Sequence, residues 1–130
     1  MQRISLKTDQ KTQLIDITDQ VQAALEGANG AAAALVYVPH TTAGVTINEG
    51  ADPDVARDLE EHLSKLVPKD GGFEHAEGNS DSHIKTALVG PSVSAPVRDG
   101  RLSLGTWQAI FLCEWDGPRS RTVEVAVTQA

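Results

Sequence analysis

Apolar and polar positions alternate over residues 2–7 (QRISLK) and again over 13–18 (QLIDIT), the two-residue period of half-buried strands. A polar turn through 9–12 joins them. Thr18 reads as the cap of a short helix over 19–26, with Val21, Ala24 and Leu25 on one face and Gly27 and Asn29-Gly30 ending it. Residues 31–38 form a continuous apolar run closed by Pro39, the pattern of a strand buried on both faces near the middle of a sheet. The stretch 41–48 (TTAGVTIN) is rich in β-branched residues and predicts the next strand. Gly44 within it marks a bulge or a close backbone approach.

The period then changes. Over 53–67 the apolar positions Val55, Leu59, Leu63, Leu66 and Val67 recur at helical spacing, with Asp52 as N-cap and Pro53 in the first turn; Pro68 and Gly71-Gly72 close the segment. Residues 73–81 (FEHAEGNSD) have neither period and predict a polar loop, the kind that carries function on a rigid scaffold. Ser82 predicts the cap of a short helix over 83–89, ended by Gly90-Pro91. The remainder reads as a meander of strands at 92–97, 101–104, 107–114 and 121–128, with a strong hairpin signal at Asp99-Gly100. Strands outnumber helices and the last ones follow each other directly. The expected fold is α+β, a single domain over 1–130 with mostly antiparallel sheets, sandwich- or barrel-like, and about three helices.

A chain of 130 residues suits one core, and at 4% aromatic residues that core is filled by Val, Leu, Ile and Ala. A net charge of −7 argues against nucleic acid as a partner, because neutralising phosphates needs a basic surface. No apolar run approaches membrane-spanning length, and the start has no long apolar segment of a secretory signal, so no membrane partner is expected. The lone Cys113 fits a reducing cytoplasm. It reads as a buried, inert thiol. Arg119 and Arg121, beside Gly117-Pro118, read either as a solvated strand face or as a pair able to meet a small phosphate.

His40, His75 and His83 lie at element starts or in the polar loop, among Asp, Glu, Asn and Thr. Neutral imidazoles near carboxylates are common ligands of zinc and similar ions, and three of them plus water would make an open site. The competing reading is hydrogen bonding at loop ends, or acid and base work; no HExxH or CxxC spacing decides between them. His62, on the edge of the helical stripe, reads as a packing or subunit-contact residue and stays outside the site. In 48–54 (NEGADPD), Asp52 has the structural duty of capping, whereas Glu49 has none and is the preferred general base or metal-supporting carboxylate. Glu77, Asn79 and Asp81 alternate with small residues but do not match a calcium-loop pattern. Trp107, in Gly105-Thr106-Trp107-Gln108, either lines a pocket or packs in the core.

Taken together, His40-Thr41-Thr42-Ala43, Asn48-Glu49, Asp52-Pro53, Glu74-His75, Glu77-Gly78, Ser82-His83-Ile84-Lys85 and Gly105-Thr106-Trp107-Gln108 closely resemble the YjbQ family in order and spacing from Val36 to Val127. The resemblance implies a small α+β protein that assembles as a homotrimer. It also implies a secondary thiamine-phosphate synthase activity, joining hydroxymethylpyrimidine diphosphate to thiazole phosphate with loss of diphosphate. It supports His40, His75 and His83 as a metal-binding or catalytic set, with zinc or magnesium the expected divalent metal, and Glu49, His75 and Glu77 are taken beside it as the catalytic groups. Thr41, Asn48, Asp52, Asn79, Lys85, Trp107, Arg119 and Arg121 are then the expected substrate contacts. The alternative is a non-enzymatic trimer that binds a metal or metabolite.

Overall fold

A computed structural model describes residues 1–129. The elements run β1 (Gln2–Lys7), β2 (Gln13–Asp16), α1 (Thr18–Ala23), β3 (Ala31–Tyr37), β4 (Ala43–Glu49), α2 (Pro53–Leu66), α3 (Ser80–Val89), β5 (Ser92–Arg98), β6 (Arg101–Leu102), β7 (Gln108–Glu114) and β8 (Ser120–Gln129). Five strands form one antiparallel sheet, in the order β1-β8-β3-β5-β6, and three form a second, in the order β2-β7-β4. The architecture is the expected α+β one.

The two sheets face each other across a core of Val36, Val45, Ile110, Leu112, Val123 and Val125, and Val21 and Leu25 from the α1 region join it. Each such side chain contributes roughly 1.5–3 kcal/mol by leaving water. Helices α2 and α3 pack on the three-stranded sheet, making a third layer. No helix among the described residues is long and apolar enough to cross a membrane.

Several local expectations change. β3 does lie in the middle of its sheet, yet it alternates: Ala34 and Val36 are buried while Leu35 and Tyr37 are exposed. Its second face has no layer above it within the chain. The strand buried on both sides is β7, where every residue from Ala109 to Glu114 is enclosed, one face by the sheet-sheet core and the other by the helical layer. Thr18 is the first residue of α1 rather than its cap; its hydroxyl donates to Asp16 Oδ1 (2.6 Å) and accepts from the Ile110 amide (2.9 Å), tying α1 to β7. Helix α3 begins at Ser80, because Ser82 spends its hydroxyl on the Trp115 carbonyl (2.5 Å) instead of a cap. Asp52 caps α2 as expected, accepting from the Asp54 amide (2.9 Å). Of the apolar stripe only Val67, just past the last turn of α2, is buried, and His62 is exposed, so the packing expected of His62 is not made within the chain. Gly44 serves a close approach and not a bulge: a Cβ there would sit 2.6 Å from the Gly90 carbonyl oxygen, while the β4–β7 register runs unbroken.

What positions the site is the direction of the strands. Lys7 pairs with Ser120, Gln13 and Ala43 pair with Glu114, and Tyr37 pairs with Glu124. The connections β1–β2, β3–β4 and β7–β8 therefore meet at one end of the sandwich. At the other end of the three-stranded sheet Glu49 pairs with Gln108. At about 3.3 Å per residue the two ends of β4 lie about 20 Å apart.

Candidate functional site

At the three-connection end, Glu114 closes β7 on the core side and Arg121 opens β8 facing it. Both are buried, at 0% and 5% exposure. Arg121 Nε donates to Glu114 Oε1 (2.8 Å), and Nη2 donates to Glu114 Oε2, to Thr42 Oγ1 (2.8 Å) and to the Thr42 carbonyl (3.2 Å). Glu114 further accepts from Thr8 Oγ1 (2.8 Å) and the Asp116 amide (3.0 Å). Burial alone would raise the Glu114 pKa, but the Arg121, Asp116 and Thr8 donors outweigh it and hold the carboxyl below its usual range. The guanidinium is thereby pinned, with Nη1 left without a partner among the described residues. Arg121 lines a cleft of ≈ 450 Å³ together with Tyr37, His40, Thr41, Thr42 and Pro91. The solvated-face reading of the two arginines holds only for Arg119, which is exposed and paired with Asp116 (Nη2 to Oδ2, 2.9 Å).

His40 sits half-buried in that cleft, and its Nε2 accepts from the Thr122 amide (3.0 Å). Burial, then the Arg121 charge, lower its pKa against the pulls of Glu114 and Thr122, disfavouring the imidazolium form. Nearby, Asn79 Nδ2 donates to Asp116 Oδ2 (2.8 Å). Asp116 is held below its usual range: burial would raise it, but the Asn79 and Arg119 donors outweigh that effect.

The 73–79 loop brings His75 to the first turns of α3. The His75 and His83 rings meet edge to face, with centroids 5.4 Å apart, and Glu77 Oε2 lies 3.8 Å from His75 Nε2. His75 lines a second cleft of ≈ 450 Å³ with Lys69, Asp70, Gly72, Phe73 and Gly78. His40 does not join this pair: among the described residues no group of three or more His, Cys, Asp or Glu side chains is placed to hold a metal ion. Within one chain the donor set for zinc or magnesium is thus incomplete.

Lys85 is enclosed at 2% exposure, 3.7 Å from Asp81 Oδ2, 3.4 Å from Ser64 Oγ and 5.5 Å from the Trp115 ring centroid. Burial first, then Lys11, lower its pKa, while Asp81 raises it. Lys11 takes the strong contact to Asp81 Oδ2 (2.8 Å). This buried group organises α3 against Trp115; it does not face a cleft that has been described. Sequence reasoning overlooked Glu114, Thr8 and Lys11 as parts of this end, and weighed Asp81 only as a loop carboxylate. The available signals were a lone carboxylate closing an apolar strand and the Asp81–Lys85 spacing of one helical turn.

The remaining predicted residues lie at the opposite end. Glu49 Oε2 accepts from the Ala51 amide (2.8 Å), and Asn48 Oδ1 accepts from the Glu49 amide (2.8 Å), so both serve the turn into α2. Trp107, 64% exposed, lines a cleft of ≈ 310 Å³ with Asp16, Asp19, Gly50, Thr106 and Gln108. Cys113 is buried as expected, its thiol pushed up to about 12 by burial and then by Glu60.

This arrangement has known counterparts. The family model UPF0047 protein YjbQ-like matches residues 2–130. The chain belongs to the YjbQ family. It is 48% identical over 126 residues to a UPF0047 protein of Methanocaldococcus jannaschii, covering 96% of this chain and 91% of the relative. It is 46% identical over 124 residues to UPF0047 protein YugU of Bacillus subtilis, covering 94% of each. A crystal structure of a YjbQ/UPF0047 protein from Clostridium acetobutylicum superposes with a TM-score of 0.95 at 49% identity, covering 98% of this chain and 100% of that one. In this YjbQ-family chain the motifs divide between two ends: His40, Thr41, His75, Glu77, Asn79, His83, Lys85, Arg119 and Arg121 at one, and Asn48, Glu49, Asp52 and Trp107 at the other.

Proposed function

We propose that the chain binds a phosphorylated small molecule in the cleft over Arg121 and acts there as a thiamine-phosphate synthase-like transferase. The observation that carries this reading is the Arg121 side chain, which lines a cleft and is fixed there by Glu114 and Thr42 through Nε and Nη2, with no hydrogen bond from Nη1 among the described residues. A guanidinium already held in place loses little freedom on meeting a phosphate and binds it through charge-assisted hydrogen bonds. Thr41 lines the same cleft and can add a further donor, whereas Arg119 is engaged by Asp116 through Nε and Nη2.

In the proposed reaction the bond from the pyrimidine methylene carbon to the diphosphate oxygen breaks, and its electron pair leaves with the diphosphate. The thiazole nitrogen then forms the new carbon–nitrogen bond. Arg121 and Arg119 offset charge growing on the leaving diphosphate. The reading includes a divalent cation, zinc or magnesium. His75, His83 and Glu77 are its candidate ligands, but this set is incomplete within one chain, and no step is routed through it. Glu49, Asn48, Asp52 and Trp107 lie about 20 Å away along the sheet, and the proposal is built without them. A cytoplasmic homotrimer is part of the same reading, supported by the bare face of β3, where Tyr37 is 42% exposed.

A non-enzymatic, metabolite-binding trimer is the second reading. It is favoured by the engagement of Glu114 with Arg121 and by the distance of Glu49, which leave the Arg121 cleft without a free carboxylate base. Diphosphate release from hydroxymethylpyrimidine diphosphate and thiazole phosphate separates the two. Repeated turnover by the purified chain, reduced at least tenfold in Thr41→Val with an unchanged melting temperature, supports the transferase. Binding of the diphosphate substrate without release selects the second reading. Neither binding nor release ends both.

A further inference from the structure

His40 occupies a gap in a strand ladder. The β3–β8 pairing begins at Tyr37↔Glu124, so Thr122 lies two residues beyond the end of β3. Its other side is taken by β1, where it pairs with Ser5. An amide in that position, turned away from β1, has no backbone carbonyl opposite it, and an unpaired backbone amide is costly to bury. The His40 ring fills the gap, accepting the Thr122 N–H at Nε2 (3.0 Å).

That single bond sets the ring's chemistry. A nitrogen that accepts carries its lone pair, so in the neutral ring the proton is on Nδ1. Metal coordination also needs a lone pair. The one on Nε2 is spent on Thr122, and Nδ1 has none to give. What Nδ1 can do is donate, and it has no acceptor among the described residues. His40 and Arg121 line the same cleft, and Arg121 Nη1 is likewise a donor without an acceptor. Glu114, the carboxylate nearest to both, has each of its oxygens engaged by Arg121. The cleft is therefore lined by two donor-bearing side chains, and no Asp or Glu is among its lining residues.

We propose that His40 and Arg121 form a two-donor clamp for a phosphoryl oxygen, with His40 serving through Nδ1–H as a hydrogen-bond donor and not as a metal ligand. This rests on the phosphate reading above for the class of ligand, but not on the transferase activity. The Thr122 amide is the positioning group, and the clamp's geometry is a by-product of where β3 ends.

The test uses the full chain labelled with nitrogen-15, with inorganic phosphate as the probe. At neutral pH the His40 nitrogens should report a protonated Nδ1 and an unprotonated Nε2, unchanged by one equivalent of zinc. Added phosphate should move the His40 Nδ1 and Arg121 side-chain signals along one saturation curve. His40→Phe should weaken phosphate about tenfold, and His40→Gln, which keeps an N–H donor, should lose less. A protonated Nε2, zinc bound at His40, or phosphate that leaves both side chains unmoved would overturn the clamp. The tautomer is read in the unaltered chain, so a variant that fails to fold does not remove the test. Phosphate-induced movement without any diphosphate release leaves the clamp standing and ends the transferase. Turnover with both side chains unmoved does the reverse.

Discussion

At the end of the three-stranded sheet where Ala43 pairs with Glu114, polar side chains are buried and paired between the two sheets, and Arg121 and His40 line a cleft. At the end where Glu49 pairs with Gln108, the polar groups are more exposed and are satisfied by their own backbone: Glu49 by Ala51, Asp52 by Asp54. The difference teaches that residue type alone does not make a binding group. Arg121 is suited to a ligand because Glu114 and Thr42 fix it without using all of its donors. Glu49 is an equally reactive residue type whose carboxylate is already engaged by a turn.

The sharpest way to break this comparison is to remove the buried partner. Glu114→Ala leaves the Arg121 guanidinium buried and unpaired, and denaturant unfolding should show a loss of about 3–5 kcal/mol. A loss below about 1 kcal/mol, the range of exposed pairs, would mean that the two ends differ less than their burial suggests.

The same carboxylate gives a pH signature. Glu114 is held below its usual range in the folded chain, so its contribution to stability is fully present above the unfolded-state pKa of about 4.3 and fades as pH falls through the lower folded value. A melting series in acid should therefore fall more steeply for the wild-type chain than for Glu114→Gln. Parallel curves would refute the assignment.

Smaller effects follow at other points of the sheet. Gly44→Ala pushes a Cβ against the Gly90 carbonyl oxygen, which is backbone and unable to rotate aside, and should cost roughly 1–3 kcal/mol in the same unfolding assay. Asp52→Ala removes the α2 cap and should cost about 1 kcal/mol, with a matching loss of helical circular dichroism. Trp107→Ala, at the exposed end, should change stability by less than about 0.5 kcal/mol. A larger loss would show that Trp107 is covered by something outside the single chain.

Much of the fold was legible because its signals are local. The strand alternation at 2–7, the Asp52-Pro53 helix start and the Asp99-Gly100 turn, where both residues have positive φ, depend on neighbours a few positions away. Ala31–Tyr37 misleads for the complementary reason. Whether a second layer covers a strand is decided by distant elements, and here the helices lie over β7 instead. Ser82 looks like a cap until Trp115, far along the chain, takes its hydroxyl. The candidate site was half legible. The residue types at His40, His75, His83, Arg119 and Arg121 were apparent, but their division from Glu49 and Trp107 follows from the seven-residue β4–β7 pairing, which no local pattern displays. The Arg121–Glu114 pair spans the two sheets, so it was invisible as a pair.

On the proposed reading, ligand chemistry in a single chain belongs to the Arg121 end. A titration of the full chain with hydroxymethylpyrimidine diphosphate, followed by backbone amide resonances, tests it most directly. Perturbations are expected to concentrate at residues 37–42 and 116–122 and to leave 48–52 and 105–109 unmoved. Shifts centred on Glu49 and Trp107, with Arg121 and His40 silent, would contradict it.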